Sequence, residues 1–159
     1  MAGYGSRGMV VANVQGDSIM NSGKVFIGLF CMMIAGPVWA ATPAGLMDGY
    51  ARDAMRSTPN FAPSAERGKN FFARDWGVSR KMPRCQSCHG SDLTKNGKHI
   101  ITGKRIAPLS PGADADRFTD SSKAEKWFRR NCKEVVGREC SAAEKADLIK
   151  FFNNPGVKS

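Results

Sequence analysis

The sequence predicts an all-α fold, and three observations carry that prediction. Apolar residues recur at three- and four-residue steps in segments opened by capping residues. No stretch alternates with the period of two that a half-buried strand needs. Glycine and proline gather between the segments rather than inside them.

The helical part starts near residue 41. Before it, Met20-Asn-Ser-Gly-Lys24 is a short basic stretch, Val25 to Pro37 is apolar, and Val38-Trp39-Ala40 offers the small residues a signal peptidase reads. Cleavage is expected after Ala40. Residues 1–19 are Gly-rich, polar and without periodicity, and read as a mis-assigned upstream extension with Met20 as the true start. Residues 20–40 are then a signal peptide, and 41–159 form one small domain with no membrane span after cleavage, since the apolar run is short for one. The expected location is the periplasm.

The first helix opens at Thr42-Pro43 and carries Met47, Tyr50, Ala51, Ala54 and Met55 on one side; Thr58-Pro59 and Pro63 stop it. Ser64 caps a second, from Ala65 to about Asp75. Its Gly68, four residues before Phe72, leaves a flat spot where another helix can cross closely; a glycine without such a use costs about 1 kcal/mol against alanine. Gly77 to Arg84 is a basic connector. After residue 89 comes a long irregular stretch with Gly90, Gly97, Gly103, Pro108, Pro111 and Gly112. Ser122-Lys-Ala-Glu125 reads as a capping box for the next helix. On it Ala124, Trp127, Phe128, Asn131, Cys132 and Val135 form one stripe ending at Gly137. A second box, Ser141-Ala-Ala-Glu144, opens the last helix, with Leu148, Phe151 and Phe152 as its apolar face. No credible strand is visible.

The chemistry lies between the second and third of these helices, in Cys85-Gln86-Ser87-Cys88-His89. This spacing lets two thiols add across the vinyl groups of one haem while the next residue offers an imidazole to the iron. Zinc would need two more ligands at compact spacing, and Cys132 and Cys140 do not supply a second knuckle. A thioredoxin-type site would need a βαβ pattern. Covalent haem c, bound through Cys85, Cys88 and His89, is therefore the expected cofactor. The following loop contributes Lys104 and Arg105 as cations for its propionates, and Pro108 as a carbonyl for the second nitrogen of His89.

Cysteine use and charge agree with export. Cys31 would leave with the signal, so Cys132 and Cys140 remain as a natural pair in an oxidising compartment. The whole chain carries +10; without Arg7, Lys24 and Asp17 the mature part keeps 22 basic and 13 acidic residues, or +9. Nucleic acid is a poor explanation in an exported protein. A basic rim that steers an acidic redox partner is a better one, alongside a surface that is merely well solvated.

The sixth iron ligand is the open question. All 8 methionines precede Cys85, so no later thioether can close over the iron. The residues leave three candidates: His99, the other histidine; a lysine; and Asn131, the polar member of an otherwise apolar stripe. A buried polar group needs a partner, and a backbone carbonyl near the helix end would also serve.

The blocks CQSCHG at 85–90, TGKRIAPL at 102–109, RFTDS at 117–121, EKWFRRNC at 125–132, GREC at 137–140 and EKADL at 144–148 resemble the oxygen-binding c-type cytochromes called sphaeroides haem protein (SHP). The resemblance implies a class I cytochrome c fold around one covalently attached haem. It implies Cys85 and Cys88 in thioether links, His89 as proximal ligand, Asn131 as distal ligand and a Cys132–Cys140 disulfide. Lys98-His99-Ile100-Ile101 looks one residue longer than the family's loop. The implied function is binding of dioxygen or nitric oxide by the reduced protein, in a distal pocket walled by Trp127. Electrons would come from a dihaem cytochrome c and a membrane cytochrome b. Oxygen- or nitric-oxide-linked redox turnover is open to such a protein. The alternative is a simple electron-transfer cytochrome c whose haem stays six-coordinate.

Overall fold

A computed structural model describes residues 41–154. The expected upstream extension, signal peptide and cleavage point lie outside the described residues. The elements are α1 (Pro43–Met55), α2 (Ala65–Ala73), α3 (Gln86–His89), β1 (Gly97–Lys98), β2 (Arg105–Ile106), α4 (Ser121–Val135) and α5 (Ala142–Phe152). The fold is helical, with one correction. β1 and β2 pair antiparallel, Gly97 opposite Ile106 and Lys98 opposite Arg105, where no strand was expected. Two residues per strand are too few for a period of two to show. Among the described residues no helix is long and apolar enough to cross a membrane.

Three helices start where their caps predict. Thr42 Oγ1 accepts the Gly45 N–H at 3.0 Å, Ser64 Oγ that of Arg67 at 3.3 Å, and Ser141 with Glu144 closes a reciprocal box. α4 differs: its cap is Asp120, whose carboxylate accepts the Lys123 N–H at 2.9 Å, and Ser122 lies inside the helix. The reason is the use made of Glu125. Instead of folding back on Ser122 it accepts from the Tyr50 hydroxyl of α1 at 2.8 Å and from Lys145 Nζ of α5 at 2.6 Å.

α5 is the centre of the packing. Ala146, Ile149 and Phe151 are wholly buried, and Leu148 and Phe152 nearly so. Each large apolar side chain buried this way stabilises the fold by about 1.5–3 kcal/mol. α2 crosses α5 at Gly68, where a Cβ would overlap the Asp147 carbonyl oxygen, so only a glycine permits this approach. The Asp147 carboxylate then reaches back to α2, accepting from Ser64 N at 2.7 Å and from Arg67 Nε and its terminal nitrogen at 2.8 Å each.

The expected stripe on α4 splits into two lanes. Ala124, Phe128, Cys132 and Val135 are buried, whereas Trp127 is 43% exposed and Asn131 only partly covered. Met55, expected on the inner side of α1, is likewise exposed. α4 stops at Gly137, whose φ of +78° suits a residue without a side chain.

Candidate haem site

One turn of helix organises the motif. Cys85 sits at the N-cap of α3, its carbonyl accepting from Cys88 N and His89 N at 3.3 Å each, and Gly90 at φ +75° ends the turn. Cys85, Cys88 and His89 thus stand at i, i+3 and i+4, on one face. β1 is pressed against this turn: a Cβ on Gly97 would overlap the Cys88 carbonyl oxygen and lie 2.9 Å from His89 Cα. The Ile100 N–H also donates to Cys88 Sγ at 3.5 Å.

The donor set fits a haem. Cys85 and Cys88 are free thiols, not a disulfide. Burial, with Cys88 adding to it and a backbone hydrogen bond opposing, pushes the Cys85 thiol up to about 11, so it stays protonated at neutral pH. Burial, and after it the charge of Arg117, pushes His89 down to about 4. Its imidazole is therefore neutral and keeps a lone pair for a metal. Among the described residues no three His, Cys, Asp or Glu side chains converge on one point. The three groups of the motif are accordingly not a chelate for a bare ion. They suit a flat cofactor that takes the sulfurs at its edge and the imidazole at its centre.

The surroundings hold His89 from two sides. Phe72 of α2 packs on its ring, with centroids 6.1 Å apart, and a file of rings continues through Phe152 and Phe118 to Phe128 of α4. Phe118 occupies left-handed backbone at φ +61° to lie between Phe152 and Phe128. The Pro108 carbonyl, expected to serve His89, instead accepts from Arg117 Nε at 2.5 Å, and a terminal nitrogen of Arg117 donates to the Ala107 carbonyl at 2.8 Å. Arg117 thus fastens the 107–108 loop and places a positive charge near the imidazole. Sequence reasoning missed this role; its one signal was the place of Arg117 in the RFTDS block.

Asn131 and Trp127 lie one turn apart on α4. The Asn131 amide has no hydrogen-bond partner among the described residues, so it does not serve as a cap at the helix end. The next residue, Cys132, is joined to Cys140, with Cα atoms 5.6 Å apart. Trp127 carries the Arg130 guanidinium 5.6 Å from its ring centroid. His99 is occupied locally, because its Nδ1 accepts from Ile101 N and Thr102 N at 3.3 Å each and so closes the β1–β2 turn.

A helical domain built round a single Cys-x-x-Cys-His turn, with thiols free and imidazole neutral, is a monohaem c-type cytochrome. The chain belongs to the SHP family of these cytochromes: it is 46% identical over 123 residues to cytochrome c-type protein SHP of Cereibacter sphaeroides, covering 76% of this chain and 91% of that one. The profile described as "Domain of unknown function (DUF1924)" matches residues 59–152. The solved structure of oxidised SHP, an oxygen-binding cytochrome c, superposes with a TM-score of 0.62 at 45% identity, over 70% of this chain and 96% of that one. The solution structure of Methylophilus methylotrophus cytochrome c'', described for the structural basis of haem-ligand detachment, gives 0.58 at 36% identity, over 69% and 90%.

Proposed function

We propose that this chain is a periplasmic cytochrome in which Asn131 is a releasable distal ligand, so that the reduced protein binds dioxygen or nitric oxide. Electrons come from partner cytochromes, a dihaem cytochrome c and a membrane cytochrome b. When bound, the haem supplies an iron that changes oxidation state and accepts diatomic ligands. Cys85 and Cys88 would fix the cofactor, and His89 would hold its iron with a neutral imidazole. The Asn131 carbonyl oxygen is a hard, weak donor, suited to the oxidised state and poorly to the reduced one. With a haem bound, the Asn131 side chain would be the group free to leave on reduction, and its N–H₂ would then be available to hydrogen-bond a diatomic. Trp127, one turn away, walls that space.

The observation that carries this reading is the unspent amide of Asn131 on a helix fixed on both sides of it. Glu125 ties α4 to α1 and α5, and Cys132 ties it to Cys140, so release is a side-chain movement rather than a swing of the helix. The oxygen binding of SHP and the ligand detachment studied in cytochrome c'' support the same reading. The test is Asn131→Val. The ferric spectrum is expected to change to that of an open site while haem attachment is unaffected, and the reduced wild type is expected to bind carbon monoxide rapidly. An unchanged ferric spectrum in the variant, with a reduced wild type that ignores carbon monoxide, leaves the simple electron carrier.

A further inference from the structure

We propose that the tip of the β1–β2 hairpin is a docking knob for an acidic redox protein. It presents Ile100 and Ile101 beside the haem-attachment sulfur of Cys88, within a ring formed by Lys98, Lys104 and Arg105. The inference needs only that the chain is a c-type cytochrome, and stands whether or not Asn131 leaves the iron.

Ile100 and Ile101 are 53% and 54% exposed, side by side. A single exposed isoleucine is ordinary. Two adjacent β-branched residues at the tip of a turn are not, because turns favour Gly, Asn, Asp and Ser there. The tip is also held firmly. β1 and β2 pair beneath it, the His99 N–H donates to the Lys104 carbonyl and the Gly103 N–H to the His99 carbonyl at 2.8 Å each. His99 Nδ1 accepts the two N–H groups inside the loop, and Gly103 at φ +68° supplies the left-handed residue that closes such loops. A preformed apolar tip loses little entropy on binding.

Its position and charge identify the occupant. The Ile100 N–H···Sγ contact to Cys88 puts the tip beside the edge of the cofactor site, where electrons can enter. Lys98, Lys104 and Arg105 are exposed and form no ion pair with another described residue, and residues 93–113 contain no Asp or Glu. An apolar centre with a wholly cationic rim matches a partner with an apolar patch inside an acidic rim. The rim speeds encounter and the isoleucines prolong contact.

The experiment uses the haem-loaded full domain and, as probe, a reduced [2Fe–2S] ferredoxin of strongly acidic charge. One electron leaves the ferredoxin cluster and converts ferric to ferrous haem iron; no proton moves. The second-order rate, read by stopped flow against ionic strength, is expected to fall with salt in the wild type. The triple variant Lys98→Glu, Lys104→Glu, Arg105→Glu is expected to lose about ten-fold or more at low salt, along with most of the salt dependence. Ile100→Ser with Ile101→Ser is expected to slow the reaction about three- to ten-fold with the salt slope kept. Reversing Arg52 of α1, Arg56 just past its end and Lys150 of α5, all exposed, is expected to do much less. In the isoleucine variant, in the α1 and α5 reversal and in Lys98→Glu alone, the ferric spectrum, midpoint potential and carbon monoxide binding should match the wild type. The triple reversal also removes Lys104 and Arg105, the cations expected for the propionates, so its rate is compared after correction for its own measured potential. The proposal is overturned if the α1 and α5 reversal slows the ferredoxin as much as the hairpin reversal. It is also overturned if the isoleucine changes alter the spectrum or the potential, since the pair then covers the cofactor.

Discussion

Gly68 and Gly97 use one device in two regions of the molecule, with different consequences. At Gly68 two helices meet so closely that a Cβ would overlap the Asp147 carbonyl; at Gly97 a two-residue strand is pressed just as hard on the attachment turn. The first contact lies among Phe72, Ile149 and Phe151, side chains with almost no exposure, and is backed by the buried Asp147 carboxylate. The second lies in a region with little regular structure, held by Arg117, a short ladder and the cysteine motif. Buried apolar area holds the scaffold of α1, α2 and α5. Backbone contacts hold the attachment loop, and thioether links from Cys85 and Cys88 would add to them once haem is bound.

The comparison can be broken by substitution. Gly68→Ala is expected to have the largest effect, a loss of several kcal/mol or failure to fold, because overlap with backbone inside a packed core cannot be relieved locally; thermal unfolding reads it, and haem uptake should fall in parallel. Asp147→Ala comes next, at about 2–3 kcal/mol by denaturant titration, since it strips Ser64 N and Arg67 of a buried acceptor. Gly97→Ala is predicted to behave differently: the hairpin lifts from α3, so the haem spectrum shifts while the unfolding midpoint moves much less. Equal losses of midpoint for Gly68→Ala and Gly97→Ala would erase the distinction between the regions.

The smallest effect is one of pH. Burial raises Glu125, but hydrogen bonds from Lys145 and Tyr50 outweigh it and hold the carboxyl below its usual range. Glu144 is likewise held low, with burial opposing, mainly by Arg138 and the Ser141 cap. For a group depressed in the folded state, its contribution is complete above the ordinary carboxylate pKa and is lost as pH falls through the lower, folded value. Stability should therefore decline at acid pH, and Glu125→Gln should flatten part of that decline in pH-dependent melting curves.

What could be read from the sequence was local. The caps at Thr42, Ser64 and Ser141, the Gly68 crossing and the haem motif all announce themselves within a few residues. What could not be read was decided at a distance. Asp120 and Ser122 are equally good caps, and the choice fell to Asp120 because Glu125 is drawn to Tyr50 and Lys145, far off in sequence. Pro108 was assigned to His89, yet Arg117 takes its carbonyl. The hairpin was missed for its brevity. Asn131 stood out as a polar residue in an apolar stripe, but the stripe alone left a backbone carbonyl or an iron as partner, and only the family blocks chose between them.

Lys145 and Asp147 sit two residues apart on α5, hence roughly 200° round the helix, and both are nearly buried. One finds its counter-charge on α4 and the other on α2. The pair works like two wards on a key. Any other rotation of α5 would strand a charge in a dry interior at a cost of several kcal/mol. The lock is therefore cut by the polypeptide itself, and its setting does not wait for the porphyrin.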